Sequence, residues 1–548
     1  MTAGYDDEVT GAPDGGVPDP GERDYVSPGR FAPATVTEPD RDVPSYTDPV
    51  ARDFSTAVGG PVGRHALVGF QRFATPLRII LLVALVFLAL GWFTKAGCLQ
   101  QRPDGDHMVL DWQNNRPYTA MCYTDTVPLY HAELLDKGVM PYFHHFYDVG
   151  PTGKQQLRYM EYPVVTGMYQ YGAMRVAKAW ENLHEKFGVP AALEVVLFFN
   201  VVAVGLALLW LVGIWATTRL SAGSRRPWDA MLMALSPLVI AQIFTNFDAI
   251  AVAALALAML AWARRRPVWA GVAIGFGAAA KLYPAFLLVV LLMLCLRAGR
   301  LRSWGSAAAT AVVTWLVLNL PLILFARPGW WEFFHRNTIR PVDIDSIYNV
   351  ISSFTGNWVF GGVGPDGGAS TVANIATLIL FLCVVAGVAY VCFTAPRRPR
   401  VAQLMFLLVA GFLLVNKVWS PQYSLWLVPL AVLAVPHTRI LLAWMTLDAL
   451  VWVPRMMYFL GVSNKGLPEQ AFTATVLLRD LAVVGLCALI LRQIYRPDED
   501  LVRATFPGPY SPPLDDPHGG VLDGAPDASS GSDVPSEPSR GSEPAPAS

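Results

Sequence analysis

The chain has 548 residues with a formal net charge of -1, 53% hydrophobic and only 15% charged residues, and 17 tryptophans. That is too apolar for a soluble protein of this size, so a polytopic membrane protein is expected and no nucleic-acid partner is implied. The near-zero net charge points to no partner by itself, because acids gather in the two tails and arginines in short gaps between apolar runs.

Residues 1–70 are rich in Pro, Gly, Asp and Thr without apolar periodicity, and are expected to form a disordered cytoplasmic tail. No cleavable signal opens the chain: MTAGYDDEVT is acidic, and the first apolar run, Ile79 to Thr94, is read as an uncleaved signal anchor. Residues 71–503 are expected to form one transmembrane domain, and 504–548 a second disordered cytoplasmic tail. Further apolar cores lie at Ala192–Thr217, Ala230–Ile243, Ala249–Ala263, Val268–Ala280, Ala285–Leu296, Ala307–Phe325, Val372–Phe393, Val401–Val415, Leu425–Val435, Ile440–Val453 and Ala474–Leu491. Judged against spans of roughly 17–25 residues, these read as about twelve transmembrane helices, an all-α polytopic fold.

Arginines mark alternate gaps: Arg219, Arg225 and Arg226, then Arg264 to Arg266, Arg297, Arg300 and Arg302, and Arg397, Arg398 and Arg400. With the arginine gaps inside, both termini are cytoplasmic, provided that Tyr162 to Trp180 lies as an amphipathic helix on the outer interface with Arg175 and Lys178 on its wet face. The outer face then receives the large first loop, including Met121 to Thr166 with Asp125, Glu133, Asp136, His144, His145, Asp148 and Glu161. It also receives Thr245–Asp248, Lys281–Pro284, the loop from Ala326 to about Thr371, Asn416–Tyr423, and the loop around Arg455 to Glu469. Such one-sidedness favours a site at the membrane surface over the alternative of a multi-pass transporter or flippase, which more often carries polar elements at the midplane and two related halves. Cys98 and Cys122 share that first loop, where a disulfide is permitted outside the cytoplasm, the alternative being two free thiols.

The order TDTVPLY, GVMPY, EYPVVTG, NFD, AAKLYP and NKVWSPQY resembles glycosyltransferase family 87, from about Pro76 to Leu491. The resemblance implies an integral membrane protein of GT-C fold, of a group prominent in actinobacteria. The implied activity is that of a polyprenyl-phosphate-mannose-dependent mannosyltransferase, inverting, acting outside the cytoplasm in the cell membrane. Its partners would be a lipid-linked sugar donor in the bilayer and a glycolipid, polysaccharide or secreted-protein acceptor. The donor is a co-substrate; no cofactor and no metal are implied. The family's catalytic base is an Asp of the first outer loop, which matches Asp125 of TDTVPLY, with Asp148 and Asp136 as the competing carboxylates; the alternative is that Thr124 or Asp125 caps a helix starting near Pro128. Glu161 would hold sugar hydroxyls, orient Asp125, or cap the helix behind Pro163. Lys281, Lys417, Arg336 and Arg340 are the candidate contacts of the leaving phosphate, with snorkelling lysines and solvated arginines as the bland readings. Asp248 would bind sugar, order Lys281 or cap its helix. Gln422 and Tyr423 offer an amide and a phenol for the sugar, or form an ordinary helix start at an aromatic belt. His144, His145 and Asp148 are too poorly spaced for a metal site.

Overall fold

The computed structural model describes residues 75–149, 155–224, 226–356, 371–504 and 515–527. The N-terminal tail read at 1–70 lies outside the described residues. The chain divides into two units, Met1–Pro76 and Leu77–Ser548, and the candidate site belongs to the second.

Among the described residues, six helices are long and apolar enough to cross a membrane: Pro76–Leu99, Glu194–Gly223, Leu301–Phe325, Thr371–Thr394, Thr438–Leu460 and Glu469–Tyr495. Five apolar helices of 10–17 residues accompany them: Asp248–Ala263, Pro267–Ala280, Tyr283–Arg297, Val401–Val415 and Pro421–Ala434. The two sets differ in burial. Asp248–Ala263 is enclosed by protein along nearly its whole length, whereas Thr371–Thr394 buries only Ala373, Val388 and Cys392 and turns Leu378, Ile379 and Leu382 outward. A helix that is apolar all round needs either protein or lipid around it, and here the short helices have the first and the long ones the second. The chain is thus an all-α membrane protein with little sheet.

By length, the described residues yield six spanning helices rather than the twelve expected. Ala230–Ile243 departs furthest, since it forms three short pieces: Pro227–Ala230, Met231–Ala234 and Pro237–Gln242. Pro237 bars its predecessor from helical geometry, and Ser236 is extended (ψ 119°). The amphipathic helix expected at Tyr162–Trp180 runs from Val164 to Phe187, entered through Pro163 and ended by Gly188 at φ 67°. Arg175 is exposed on it, but Lys178 is tied down by Glu194 at 2.6 Å and the Asp136 carbonyl at 2.9 Å.

Two small antiparallel ribbons decorate the first loop. Gln101–Asp104 pairs with His107–Leu110 around Gly105, whose φ of 62° suits a two-residue turn, and Phe146–Val149 pairs with Gln155–Arg158. Cys98 and Cys122 are disulfide-bonded at the base of this loop. Pro267–Ala280 and Leu301–Phe325 approach closely through small residues: a Cβ on Gly275 would lie 2.4 Å from the Ala311 carbonyl oxygen, and one on Gly271 2.2 Å from that of Ala307. This small-residue face seats the helix that delivers Lys281.

Residues 515–527 correct the reading of 504–548 as wholly disordered. They form a strap across the arginine turns: Asp527 takes Arg297 through both carboxylate oxygens, and Asp515 takes Arg398 at 2.6 Å. Asp516 accepts the Val401 backbone N–H at the start of Val401–Val415. Gly520 lies against Trp262, where a Cβ would meet the Trp262 carbonyl oxygen at 2.0 Å. Composition marks this segment as polar, but its aspartates fold because buried guanidiniums need them. The remainder of that tail lies outside the described residues, apart from Ala504.

Candidate active site

At the end of the bundle opposite the strap, the first loop meets the turn Thr245–Asp248. The Asp125 backbone N–H donates to the Thr245 carbonyl at 2.9 Å, and Thr124 Oγ1 donates to the Phe244 carbonyl at 2.8 Å, so two successive residues are pinned to one turn. Asp125 precedes the helix Thr126–Ala132 without capping it by its side chain. Thr124 Oγ1 takes the Thr126 N–H instead, at 3.3 Å. The Asp125 carboxylate accepts from Asn246 Nδ2 at 2.8 Å and remains half-buried. The same amide nitrogen donates to Tyr162 Oη at 2.8 Å, while Asn246 Oδ1 accepts the Phe247 N–H, which fixes the amide's orientation. Tyr123 stands beside Asp125; burial and that negative charge push its phenol well above the usual value.

Two residues beyond Asn246, Asp248 is almost fully enclosed. Its Oδ1 receives Lys281 Nζ at 2.6 Å and Trp426 Nε1 at 2.7 Å. Lys281 Nζ also lies 4.5 Å from the Tyr423 ring centre, and Trp426 stacks between Tyr423 and Tyr283 at 4.3 and 4.2 Å. The structure therefore brings together Asp125, Asp248, Lys281 and Tyr423 around one turn, with Lys281 neutralised by its carboxylate. Gln422 is buried beside Tyr423.

Lys417 occupies a different environment. Its ammonium donates to Asn374 Oδ1 at 2.6 Å and to the carbonyls of Arg340 at 2.9 Å and Thr338 at 3.4 Å. Those carbonyls close the helix Arg327–Ile339, so Lys417 caps its C-terminus. Burial and Arg340 push its pKa down to about 8. Arg340 pairs with Asp343 at 3.2 Å and lies within electrostatic range of Glu161, Tyr162 and Tyr423. Arg336 reaches Glu161 at 3.5 Å, both partly exposed. Behind Glu161, Glu133 is buried with neither carboxylate oxygen hydrogen-bonded among the described residues, and burial and Glu161 push its carboxyl well above the usual range.

Other carboxylates of the loop are placed elsewhere. Asp136 sits with Lys137 and His131 at 3.2 and 3.4 Å, and Asp148 is exposed on its ribbon. His144 bonds to the Met140 carbonyl, and His145 packs on Tyr147 and Tyr159. Sequence reasoning passed over Asn246 as more than a cap, over Trp426, and over Arg455. The last had a signal: it is an ionisable residue inside the apolar run WVPRMMYFL, where a charge is usually functional.

Residues 185–416 match the family model of Glycosyltransferase family 87. The matched stretch contains Asn246, Asp248, Lys281, Arg336 and Arg340, and ends before Lys417; Asp125 and Arg455 fall outside it. Comparison with curated proteins finds no match. Among solved structures, the oligosaccharyltransferase of Archaeoglobus fulgidus in the apo form aligns at 13% identity and a TM-score of 0.36, over 78% of this chain and 56% of that one. The same enzyme tethered to an acceptor peptide containing the NVT sequon aligns at 12% identity and a TM-score of 0.31, over 76% and 55%. The chain thus spans little more than half the length of that enzyme, and likeness at this level carries no argument about chemistry.

Proposed function

From the family 87 match over residues 185–416, we propose that this chain is a membrane glycosyltransferase that uses Asp125 as general base to move a sugar, in the first instance mannose, from a polyprenyl-phosphate donor. The observation that carries the reading is the state of the Asp125 carboxylate. It is held by neutral groups, the Asn246 amide and the neighbouring Tyr123 phenol, is relieved of helix capping by Thr124, and stays half-buried at the edge of the site. A carboxylate so placed keeps lone pairs for a hydroxyl proton, whereas Asp248 is engaged by a cation and an indole.

In the proposed step the acceptor oxygen forms a bond to the anomeric carbon while that carbon's bond to the phosphate oxygen breaks. The hydroxyl proton passes to Asp125, the bonding pair leaves with the phosphate, and configuration inverts because attack and departure lie on opposite faces. Asn246 orients the base through its shared amide. Glu161 and the half-buried Tyr423 supply hydrogen-bonding and apolar surface suited to a sugar, Trp426 backs the Tyr423 ring from within, and Asp248 orders Lys281 beneath them.

Orientation is part of the proposal. Arg297, Arg398 and Arg400 gather at the strap end and the Cys98–Cys122 disulfide at the site end, which supports a cytoplasmic strap and an extracytoplasmic site. A glycolipid, polysaccharide or secreted protein would then supply the hydroxyl. Transfer from a labelled polyprenyl-phosphate mannose into membrane lipid, polysaccharide and protein fractions tests the reading, with Asp125→Asn expected to keep donor binding and lose transfer. Parent-rate transfer by that variant would remove Asp125 from the role.

A further inference from the structure

Arg455 is assigned to nothing so far, yet it is largely buried and neither of its terminal nitrogens has a hydrogen-bond partner among the described residues. Building on the reading of the chain as a polyprenyl-phosphate-dependent transferase, we propose that Arg455 binds the donor's phosphate and follows it as the leaving group.

The argument begins with the lysines. An ammonium has three donors, and those of Lys417 meet three acceptors, Asn374 Oδ1 and the carbonyls of Arg340 and Thr338. Lys281 is neutralised by Asp248 and backed by the Tyr423 ring. Lys417 cannot take a phosphate without first giving up a buried partner, which costs more than the new contact returns unless the whole cluster moves, and Lys281, with one donor on Asp248, offers a point charge rather than a planar fork.

Arg455 is paired as well, but its remaining donors form a planar fork. Its Nε donates to Asp345 Oδ2 at 2.7 Å, and its side chain is only 12% exposed. The guanidinium carbon lies 4.8 Å from the Phe459 ring centre and 5.8 Å from that of Trp452, so a salt bridge and two rings hold the group. Its two terminal nitrogens take no hydrogen-bond partner among the described residues. Asp345 is itself steadied from behind, since Arg479 Nη2 holds the Asp345 carbonyl at 2.6 Å while pairing with Asp480 and stacking on Trp419 at 3.8 Å. A fixed, desolvated guanidinium with two free N–H-bearing nitrogens matches two oxygens of a phosphate, which an ammonium cannot do in one plane.

Arg455 also stands close to the loop that carries the proposed base. The helix Trp452–Leu460 is fastened to the loop that carries Asp125: Trp452 Nε1 donates to the Met121 carbonyl at 2.8 Å, and Phe459 lies 5.6 Å from the Tyr118 ring. Lys95 Nζ donates to the Tyr123 carbonyl at 3.0 Å and sits 4.6 Å from the Trp452 ring centre. Arg455 lies within electrostatic range of both Asp125 and Tyr123. Arg340, paired with Asp343 two residues before Asp345, completes the rim from the other side. As charge develops on the departing phosphate, contacts from Arg455 strengthen.

The test uses the full chain in nanodiscs and compares binding of polyprenyl phosphate with binding of the polyprenol of equal length. Arg455→Gln should weaken phosphate binding by about tenfold or more and leave polyprenol binding unchanged. Arg455→Lys keeps the charge and the Asp345 pairing, so it should fold with a parent-like melting point and still lose severalfold in phosphate binding. If Arg455→Gln does not fold, Arg455→Lys decides. Variants that bind the phosphate as the parent does overturn the assignment while the donor reading stands. A parent protein that binds phosphate and alcohol equally overturns both.

Discussion

At the strap end, Arg400 gives its guanidinium to both oxygens of Asp500 and to the carbonyls of Leu433 and Ala434, and Arg297 does the same with Asp527 and the carbonyls of Cys392 and Ala395. At the site end, Arg455 is bonded through Nε alone, Asp125 accepts from two neutral groups, the Asn246 amide and the Tyr123 phenol, and Glu133 is buried without a hydrogen-bond partner among the described residues. Arg297 and Arg400 are saturated at the strap end, although Arg503 Nε and both ring nitrogens of His518 are buried there without a hydrogen-bond partner among the described residues, whereas Arg455 and Glu133 keep open valences at the site end. Saturated groups hold turns in place, while open ones are tolerated only where a ligand can complete them or water can reach. Within the site end the contrast repeats at short range around one turn: Asp248, three residues past Thr245, is locked, and Asp125, bonded to the Thr245 carbonyl, keeps its carboxylate open.

The largest expected effect comes from breaking a buried ion pair. Asp248→Ala strands the Lys281 ammonium, whose side chain is 17% exposed, and should cost about 3–5 kcal/mol of stability. Thermal unfolding in detergent measures it, and combining Asp248→Leu with Lys281→Met should restore most of the loss. Asp125→Asn should do the reverse, lowering turnover by about 100-fold while the melting point stays near the parent's. A large drop in melting point for that variant would place Asp125 among the holding residues and erase the contrast.

At the strap end, Asp527→Ala removes the carboxylate from Arg297 but leaves two carbonyl acceptors, so a loss of about 1 kcal/mol with unchanged turnover per folded molecule is expected. Turnover that falls with the fold intact would show that the two ends are coupled. The smallest effect sharpens the assignment of Lys417 as a strut. Its folded pKa is depressed to about 8 from an ordinary value of 10.5, so between those values the unfolded chain binds more protons and stability should rise with pH. Melting curves of the parent should carry that rise, and Lys417→Met should flatten it.

Much of the architecture is legible in hydropathy, because whether a segment of about 20 residues prefers lipid or protein to water is a local property of its side chains. The membrane class, most helix cores, the polar first loop and the segregation of arginines all come from the chain alone, as do Asp125 and Lys281 as residues of interest. Even Ser236–Pro237, which breaks Ala230–Ile243, is a local rule available beforehand. Partner assignment is not local. Lys417 is a strut because the carbonyl end of Arg327–Ile339 folds back over it, and Asn246 serves Asp125 and Tyr162 from 121 and 84 residues away. The strap orders because Arg297 meets Asp527 across 230 positions. Whether a charged side chain is saturated or left open depends on which distant acceptors the packed helices bring within about 3 Å, and only the tertiary structure decides that.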